Sequence, residues 1–191
     1  MQQSIIDIIN DSIRNFSNIS KNKAQVLLIE QIANTLIDAY NNDCKLLLCG
    51  NGGSASDAQH IAAELSGRFE MDREPLNAEA LHVNSSYLTA VANDYGYEEV
   101  YARMVKATGK NGDVLLALST SGNSSNVLKA IEQANHIGMI TIGFSGNDGG
   151  KMNEICKYNL IIPSSNTARI QEAHILVGHI ICKLIEQKIF K

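Results

Sequence analysis

The chain alternates between short apolar runs and longer segments in which apolar residues recur at helical spacing. The short runs are too short for a helix, which is typical of buried parallel strands. They lie at 45–49, 76–83, 113–118, 139–144 and 158–162. Helical spacing follows at 58–65, 85–93, 97–107, 124–136 and 167–189, with one or two turns at 151–155. The alternation predicts an α/β fold in which a parallel sheet carries helices on both faces.

Two helical stripes precede the first strand. Residues 4–13 carry an isoleucine stripe, residues 26–37 carry a second apolar stripe, and the polar residues 20–22 between them predict a turn. An amphipathic pair of this kind packs on a core or forms an oligomer interface. We therefore divide the chain into a helical segment, residues 1–40, and the α/β domain, residues 41–191. Within that domain Gly67 is expected to end a helix, and residues 93–96 are expected to break another.

The serine-rich segment after the third run is the strongest candidate for ligand binding. It reads STSGNSSN over 119–126, between a predicted strand and a predicted helix that begins at Asn123 or Ser124. The free N–H groups and the positive dipole end of such a helix bind anions. No lysine follows the glycine, so the nucleotide P-loop pattern is absent, and hydroxyl donors suit a sugar phosphate. An ordinary N-capped turn fits the same letters equally well.

A glycine-rich turn follows the first run. Gly50, Asn51, Gly52, Gly53 and Ser54 resemble a dinucleotide fingerprint only superficially, because the glycine spacing is wrong and no acidic residue follows at the usual distance. We therefore do not expect NAD to bind, and we expect close backbone approach to a small ligand. Ligands of parallel sheets bind beyond the carboxyl ends of the strands, which places 50–54 and 119–124 on one rim.

Histidines and carboxylates occur on two predicted helices. His60 and Glu64 are four residues apart and share one helix face, with Asp57 one turn earlier. A histidine and a carboxylate at this spacing can bind a divalent metal, and imidazole suits zinc. The last helix carries Gln171, Glu172, His174 and His179, and Glu172 aligns with His179 better than Gln171 does. Spacing alone fits exposed polar faces as well, and it does not show that the two helices meet.

Composition narrows the function class further. The 191 residues are 45% hydrophobic, and a chain of this length buries roughly 70% of its unfolded surface. A net charge of -4 without a long basic run argues against nucleic acid and anionic membranes as partners. No signal peptide or membrane span is apparent, and the four cysteines form no CxxC pair. We expect a cytoplasmic protein with reduced thiols.

Four motifs together resemble the sugar isomerase (SIS) domain family, and within it the phosphoheptose isomerases. They are CGNGGSASDAQHIAAEL at 49–65, ANDYGYEEVYARMV at 92–105, LLALSTSGNSSNV at 115–127 and RIQEAHILVGHI at 169–180. The resemblance extends over nearly the whole chain. It implies a three-layer αβα, flavodoxin-like fold with a five-stranded parallel sheet. It also implies a homotetramer with active sites between subunits.

The resemblance assigns roles to individual residues. Ser119, Thr120, Ser121 and Ser124 would hold the sugar phosphate. The sugar itself would be contacted by Asn51, Gly52, Gly53, Ser54, Glu64, Asn93, Asp94 and Gln171. One zinc ion per subunit would be held by His60, Glu64, Gln171 and His179. The family thus selects Gln171 over Glu172, against the helix alignment, and leaves Glu172 as a neighbour of the ligands.

The implied reaction is aldose–ketose isomerisation of sedoheptulose 7-phosphate through a cis-enediol, for heptose supply to surface glycans. We assign Glu64 as the base and His179 as the acid, with zinc polarising the carbonyl. A zinc-bound carboxylate is a weaker base, so Asp57 and Glu172 remain alternatives. The rival hypothesis is a phosphosugar-binding SIS regulator, or a paralogue that binds a replication initiator, without isomerase activity.

Positions beside these motifs bear on specificity. Some family members carry an acidic residue just before the RIQE segment, where this chain has Ala168, so a hydroxyl contact is missing or is supplied by Thr167. Arg68 and Arg73 follow the first α/β helix and fit either the active-site mouth or a surface role.

Overall fold

A five-stranded parallel sheet forms the centre of the computed structural model, which describes residues 1–191. The strands are β1 (Leu46–Gly50), β2 (Ala78–Ala80), β3 (Val114–Ser119), β4 (Ile140–Gly146) and β5 (Tyr158–Ile162). Their order is β2-β1-β3-β4-β5, and every neighbouring pair is parallel. This is the flavodoxin-like order, in which the chain reverses its winding between β1 and β3. The predicted fold class is confirmed.

Eight α-helices surround the sheet. They are α1 (Gln2–Lys21), α2 (Lys23–Asn41), α3 (Gly53–Ser66), α4 (Ser85–Tyr95), α5 (Val100–Thr108), α6 (Ser125–His136), α7 (Met152–Ile155) and α8 (Thr167–Ile189). A short 3-10 helix, Tyr97–Glu99, precedes α5. No helix has the length and apolar character needed to cross a membrane.

Two apolar cores account for the three layers. Leu46 and Leu48 of β1 pack with α2, α3 and α8, whereas Leu47 and Cys49 pack with α4, α5 and α6 on the other face. Both faces of β1 and β3 are therefore buried, which is why these strands read as continuous apolar runs. The four cysteines are free thiols.

The structure corrects two predicted boundaries. The predicted strand at 76–83 is reduced to the edge strand β2, in which Glu79 is exposed. The predicted break at 93–96 is wrong at its start, because α4 continues through Tyr95. The chain turns only at Gly96, whose φ of 92° suits glycine.

The N-terminal helices adjoin at a single residue, Asn22, whose side-chain oxygen accepts from the N–H groups of Ala24 and Gln25 at the start of α2. Helix α2 shares its core with the sheet and α8. Helix α1 instead exposes about half of each of five isoleucines, Ile5, Ile6, Ile8, Ile9 and Ile13. This isoleucine stripe has no partner within the chain.

Candidate active site

Helices α3 and α8 pack closely because glycine stands at their contacts. A Cβ on Gly178 of α8 would lie 2.6 Å from Cδ1 of Ile61, and one on Gly53 would lie 2.6 Å from Nε2 of Gln171. A side chain at position 178 would press on Ile61, and one at position 53 would displace the side chain of Gln171. The close packing brings the histidines of the two helices together.

His60, Glu64 and His179 form one cluster. Nε2 of His60 lies 2.9 Å from Oε1 of Glu64 and 3.5 Å from Nε2 of His179. One ligand atom from each residue lies within 4.8 Å of the others. Two imidazoles and a carboxylate are a known ligand set of catalytic zinc sites, which keep a further position open. The donor set and its spacing therefore fit the expected metal.

The cluster is complete within one chain. The resemblance implies active sites between subunits, but the two helices that carry this cluster belong to the same chain, where α3 and α8 pack side by side on one face of the sheet. The cluster is partly open to solvent, with 49% of the His60 side chain and 24% of the Glu64 side chain exposed. A small ligand can therefore reach it.

Gln171 and Glu172 lie on different sides of α8. Gln171 packs against Gly53 at the start of α3, and it makes no hydrogen bond to the cluster. Glu172 accepts a hydrogen bond of 2.9 Å from the Ser12 hydroxyl of α1 and pairs with Arg169. The alternative role of Glu172 as a base is disfavoured, because its carboxylate is already bound on the α1 side. The zinc role of Gln171 stays a prediction.

Asp57 lies half-buried on α3, and its Oδ2 atom is buried without a hydrogen-bond partner. Burial raises the pKa of its carboxyl to about 6, although nearby His60 acts in the opposite direction. A carboxyl whose pKa lies near neutrality is suited to proton transfer. Asp57 therefore remains the second candidate base.

The serine-rich loop joins β3 to α6. Ser119 is 3% exposed, and its hydroxyl lies 2.9 Å from that of Ser124 and 3.4 Å from that of Ser121. Ser124 is the N-cap residue of α6, but its side chain makes no capping bond. Its hydroxyl is therefore not used to close the helix end, as an ordinary N-capped turn would require. The geometry therefore favours anion binding over an ordinary capped turn, and we call the hydroxyls of Ser119, Ser121 and Ser124 the serine cradle.

The loop after β4 supports the serine-rich loop. A Cβ on Gly122 would lie 2.1 Å from the carbonyl oxygen of Gly149, and both glycines have positive φ. The N–H of Gly146 donates to the carbonyl of Thr120, and the N–H of Met152 donates to that of Gly122. These contacts fix the backbone of the cradle. Sequence reasoning missed them, although GNDGG at 146–150 is a visible glycine-rich signal.

Asn51 and Asn126 connect the two loops at the β1/β3 reversal. Each side-chain amide donates to the oxygen of the other, at 2.8 Å in both directions. The Tyr97 hydroxyl lies 3.4 Å from the same Asn51 oxygen. Sequence reasoning did not select Asn126 as a site residue, because nothing in its spacing distinguishes it from the neighbouring polar residues.

Not all of the other predicted site residues lie at these loops or at the histidine cluster. Asn93 and Asp94 lie exposed at the end of α4, where the Asn93 amide donates to Asp94 and to no loop residue. Thr167 and Ala168 are exposed in the first turn of α8, and Arg68 is exposed beyond α3. Arg73 lies neither at the active-site mouth nor on the surface, so both predictions for it are wrong. Its side chain is 1% exposed and paired with Glu186.

Comparison with known proteins identifies the family. Residues 9–146 match the SIS domain. The chain is 49% identical over 182 residues to a phosphoheptose isomerase of Clostridium acetobutylicum, which covers 95% of this chain and 93% of that protein. It is 55% identical over 160 residues to a phosphoheptose isomerase of Helicobacter pylori strain P12, covering 84% and 83% of the two chains. The chain belongs to the phosphoheptose isomerase family of SIS-domain proteins.

A solved family structure agrees over the whole fold. The phosphoheptose isomerase of Neisseria gonorrhoeae superimposes with a TM-score of 0.92 at 42% identity, covering 97% of this chain and 98% of that one. The SIS-domain match ends at residue 146, before α8, but the full-length similarity to phosphoheptose isomerases includes that helix. The resemblance seen in the four motifs is therefore confirmed at the level of family and fold.

Proposed function

We propose that this chain is an aldose–ketose isomerase that converts sedoheptulose 7-phosphate to D-glycero-D-manno-heptose 7-phosphate. The names of relatives about half identical over most of the chain support this assignment. The observation that carries it is the cluster of His60, Glu64 and His179, because a protein that only binds phosphosugars has no need of it. Supply of heptose for surface glycans is the role that we propose for the product.

The cradle of Ser119, Ser121 and Ser124 holds the phosphate. Hydroxyl donors, loop N–H groups and the start of α6 favour a dianion there without a cationic side chain. The start of α3 lies beside this loop through the Asn51–Asn126 pair, and His60 follows about 10 Å further along the helix. A sugar phosphate chain placed with its phosphate in the cradle can extend toward the cluster.

The reaction requires two proton transfers at neighbouring carbons. Glu64 removes a proton from the hydroxyl-bearing carbon beside the carbonyl, and His179 donates a proton to the carbonyl oxygen, which gives a cis-enediol. The former carbonyl carbon then regains a proton while the hydroxyl on its neighbour loses one, which leaves the aldehyde. Glu64 and His179 lie on different helices, so they can approach the substrate from different directions.

We propose that one zinc ion per subunit is held by His60, Glu64 and His179, with Gln171 as the fourth ligand. Bound zinc would polarise the carbonyl and so acidify the carbon beside it. His60 and His179 offer neutral imidazole nitrogens, and Glu64 offers a carboxylate oxygen, which are all ligands that zinc accepts.

We propose a homotetramer built on the N-terminal helices. The isoleucine stripe of α1 lies near an apolar groove of about 420 Å³, whose lining includes Phe16, Ile19, Val26, Ile29, Leu176 and Ile180. The stripe and the groove residues Val26, Leu176 and Ile180 are exposed in the single chain, and contiguous apolar surface of this kind marks protein interfaces. The free thiols support a reducing compartment, and we propose the cytoplasm.

The test is incubation with sedoheptulose 7-phosphate in the presence of zinc, followed by separation of ketose and aldose phosphates. We expect an aldoheptose phosphate, and we expect five- and six-carbon ketose phosphates to turn over more slowly. Binding of the phosphosugar without turnover would move the assignment to a regulator. Preferred turnover of a shorter ketose phosphate would retain the reaction and change the substrate.

A further inference from the structure

A buried carboxylate on α8 organises the segment that follows α3. Glu186 is 1% exposed, and its two oxygens accept hydrogen bonds from three successive backbone N–H groups, those of Phe69, Glu70 and Met71, at 3.0, 3.0 and 3.1 Å. An irregular segment without such a partner would leave these N–H groups unpaired near the core. Glu186 therefore fixes the path of the chain immediately beyond the helix that carries Glu64.

Arg73 adds contacts to the same segment, and we call Glu186 and Arg73 together the clamp. Its Nε donates to Oε1 of Glu186 at 2.9 Å, and its Nη1 and Nη2 donate to the carbonyls of Leu65 and Glu64 at 2.8 Å each. Its side chain is 1% exposed. The guanidinium thus caps the last carbonyls of α3, where a cation is favoured by the helix dipole. It also binds the backbone of the proposed base directly.

The same segment reaches His179. The ring of Phe69 stacks on the His179 imidazole with the centroids 5.5 Å apart and the planes 24° apart. His179 also meets the His60 ring in an edge arrangement, with 5.0 Å between the centroids. The orientation of His179 is therefore set by two neighbouring rings, and one of them, Phe69, lies in the segment that Glu186 and Arg73 hold.

We propose that Arg73 and Glu186 are positioning residues, which hold Phe69 against His179 and fix the end of α3 that carries Glu64. The inference rests on the isomerase proposed above, since it assigns these residues to the same site. A buried ion pair is by itself weak evidence for stability, because desolvation offsets most of its attraction. What the pair supplies here is a single geometry, and misplacement of reacting groups by about 1 Å can cost about 100-fold in rate.

Two variants and a matched control test the clamp. Glu186→Gln keeps the size of the side chain and removes its charge, and Phe69→Leu removes only the stacked ring. Lys183→Gln is the control, since Lys183 pairs with Glu70 at 3.0 Å between the same helix and the same segment, but at an exposed position where pairs contribute little. Circular dichroism and thermal melts establish which variants fold.

The first readout is the NMR signal of the His179 ring, which is assigned among five histidines by its loss in His179→Gln. The stacked ring of Phe69 changes the chemical shift of this signal, so Phe69→Leu is expected to alter that shift. Glu186→Gln is expected to move it in the same direction, and Lys183→Gln is expected to leave it in place. A His179 signal that moves in Phe69→Leu and stays at its wild-type position in Glu186→Gln overturns the proposal.

The second readout separates kcat from KM for sedoheptulose 7-phosphate. We expect kcat to fall roughly 10- to 100-fold in Glu186→Gln and in Phe69→Leu, with KM within about threefold. If Glu186→Gln does not fold, an unchanged kcat in Phe69→Leu overturns the proposal. If the wild-type chain isomerises no ketose phosphate, the proposed function fails, and the NMR comparison alone decides whether the clamp positions His179.

Discussion

Nε2 of His60 lies 3.5 Å from Nε2 of His179, although 119 residues separate the two along the chain. The contact depends on the close packing of α3 on α8, which Gly178 permits against Ile61. Glu64, one turn after His60, adds the carboxylate. The fold thus assembles in one chain a set of donors that neither helix holds alone.

Loss of either imidazole should abolish tight zinc binding. We predict that His60→Gln and His179→Gln each lower zinc affinity by at least about 100-fold, since loss even of a group behind a ligand costs about 10- to 100-fold. Competition with a chromophoric chelator measures the affinity. His136→Gln, at an exposed position on α6, is the control and should bind zinc like the wild type. Wild-type affinity in His60→Gln would remove His60 from the ligand set.

The serine cradle should act on binding rather than on turnover. Ser119→Ala removes a buried hydroxyl that lies 2.9 Å from Ser124. A hydrogen bond to a charged group contributes about 1.5–3 kcal/mol, so we predict that KM and the inhibition constant of inorganic phosphate both rise at least about 10-fold. kcat should stay within about threefold. Ser86→Ala, at an exposed position on α4, is the control and should change neither constant. A large fall in kcat with unchanged KM in Ser119→Ala would contradict the prediction and place Ser119 in the chemical step.

His174 should make the fold sensitive to acid. It is fully buried, its Nε2 donates to the carbonyl of Ser145 at 3.1 Å, and its Nδ1 has no partner. Burial lowers its pKa from 6.5 to about 4, against the opposite effect of the Ser145 bond. Between pH 6.5 and about pH 4, the imidazole of His174 is therefore protonated in the unfolded chain and neutral in the folded chain. The free energy of unfolding decreases as the pH is lowered through this range.

Urea unfolding of wild type and His174→Gln measures this effect. Each pH unit in that window costs about 1.4 kcal/mol, so the wild type should lose about 2 kcal/mol more than the variant between pH 7 and pH 5. His136→Gln should retain the wild-type dependence, because His136 is exposed. Parallel stability curves for wild type and His174→Gln would contradict this, because they would show that His174 binds its proton equally well in the folded and the unfolded chain.

The isoleucine stripe of α1 should hold the oligomer together. Ile9 is 53% exposed in the single chain, and Ile9→Asp would place a charge in the proposed interface. We predict that sedimentation velocity finds a tetramer for the wild type and smaller species for Ile9→Asp. Gln3→Glu adds a charge elsewhere on the same exposed helix and should leave the tetramer intact. A wild-type monomer would refute the proposed assembly.

The layer architecture could be predicted from the sequence because each central strand is buried on both faces. Leu46, Leu47 and Leu48 read as an uninterrupted apolar run for that reason. The edge strand β2 was the exception, since only one neighbour pairs with it and Glu79 faces solvent. The end of α4 was also mispredicted, because the polar residues Asn93 and Asp94 still fit a final helical turn.

The candidate site was less predictable than the fold. The pair His60 and Glu64 follows from helical spacing, but their meeting with His179 depends on tertiary packing that Gly178 allows. The reciprocal amide pair of Asn51 and Asn126 likewise joins residues 75 apart, and no local pattern indicates it. Local periodicity assigns a residue to a helix face, whereas the partner of that face is fixed only by the folded chain.

The most direct test of the proposed active site compares three proteins in one assay with sedoheptulose 7-phosphate and zinc. We predict that the wild type forms the aldoheptose 7-phosphate, that His179→Gln forms it at least about 100-fold more slowly, as loss of an acid–base group requires, and that His136→Gln matches the wild type. Phosphosugar binding, measured by calorimetry, should persist in all three. Wild-type turnover in His179→Gln would contradict the assignment of this cluster as the site of proton transfer.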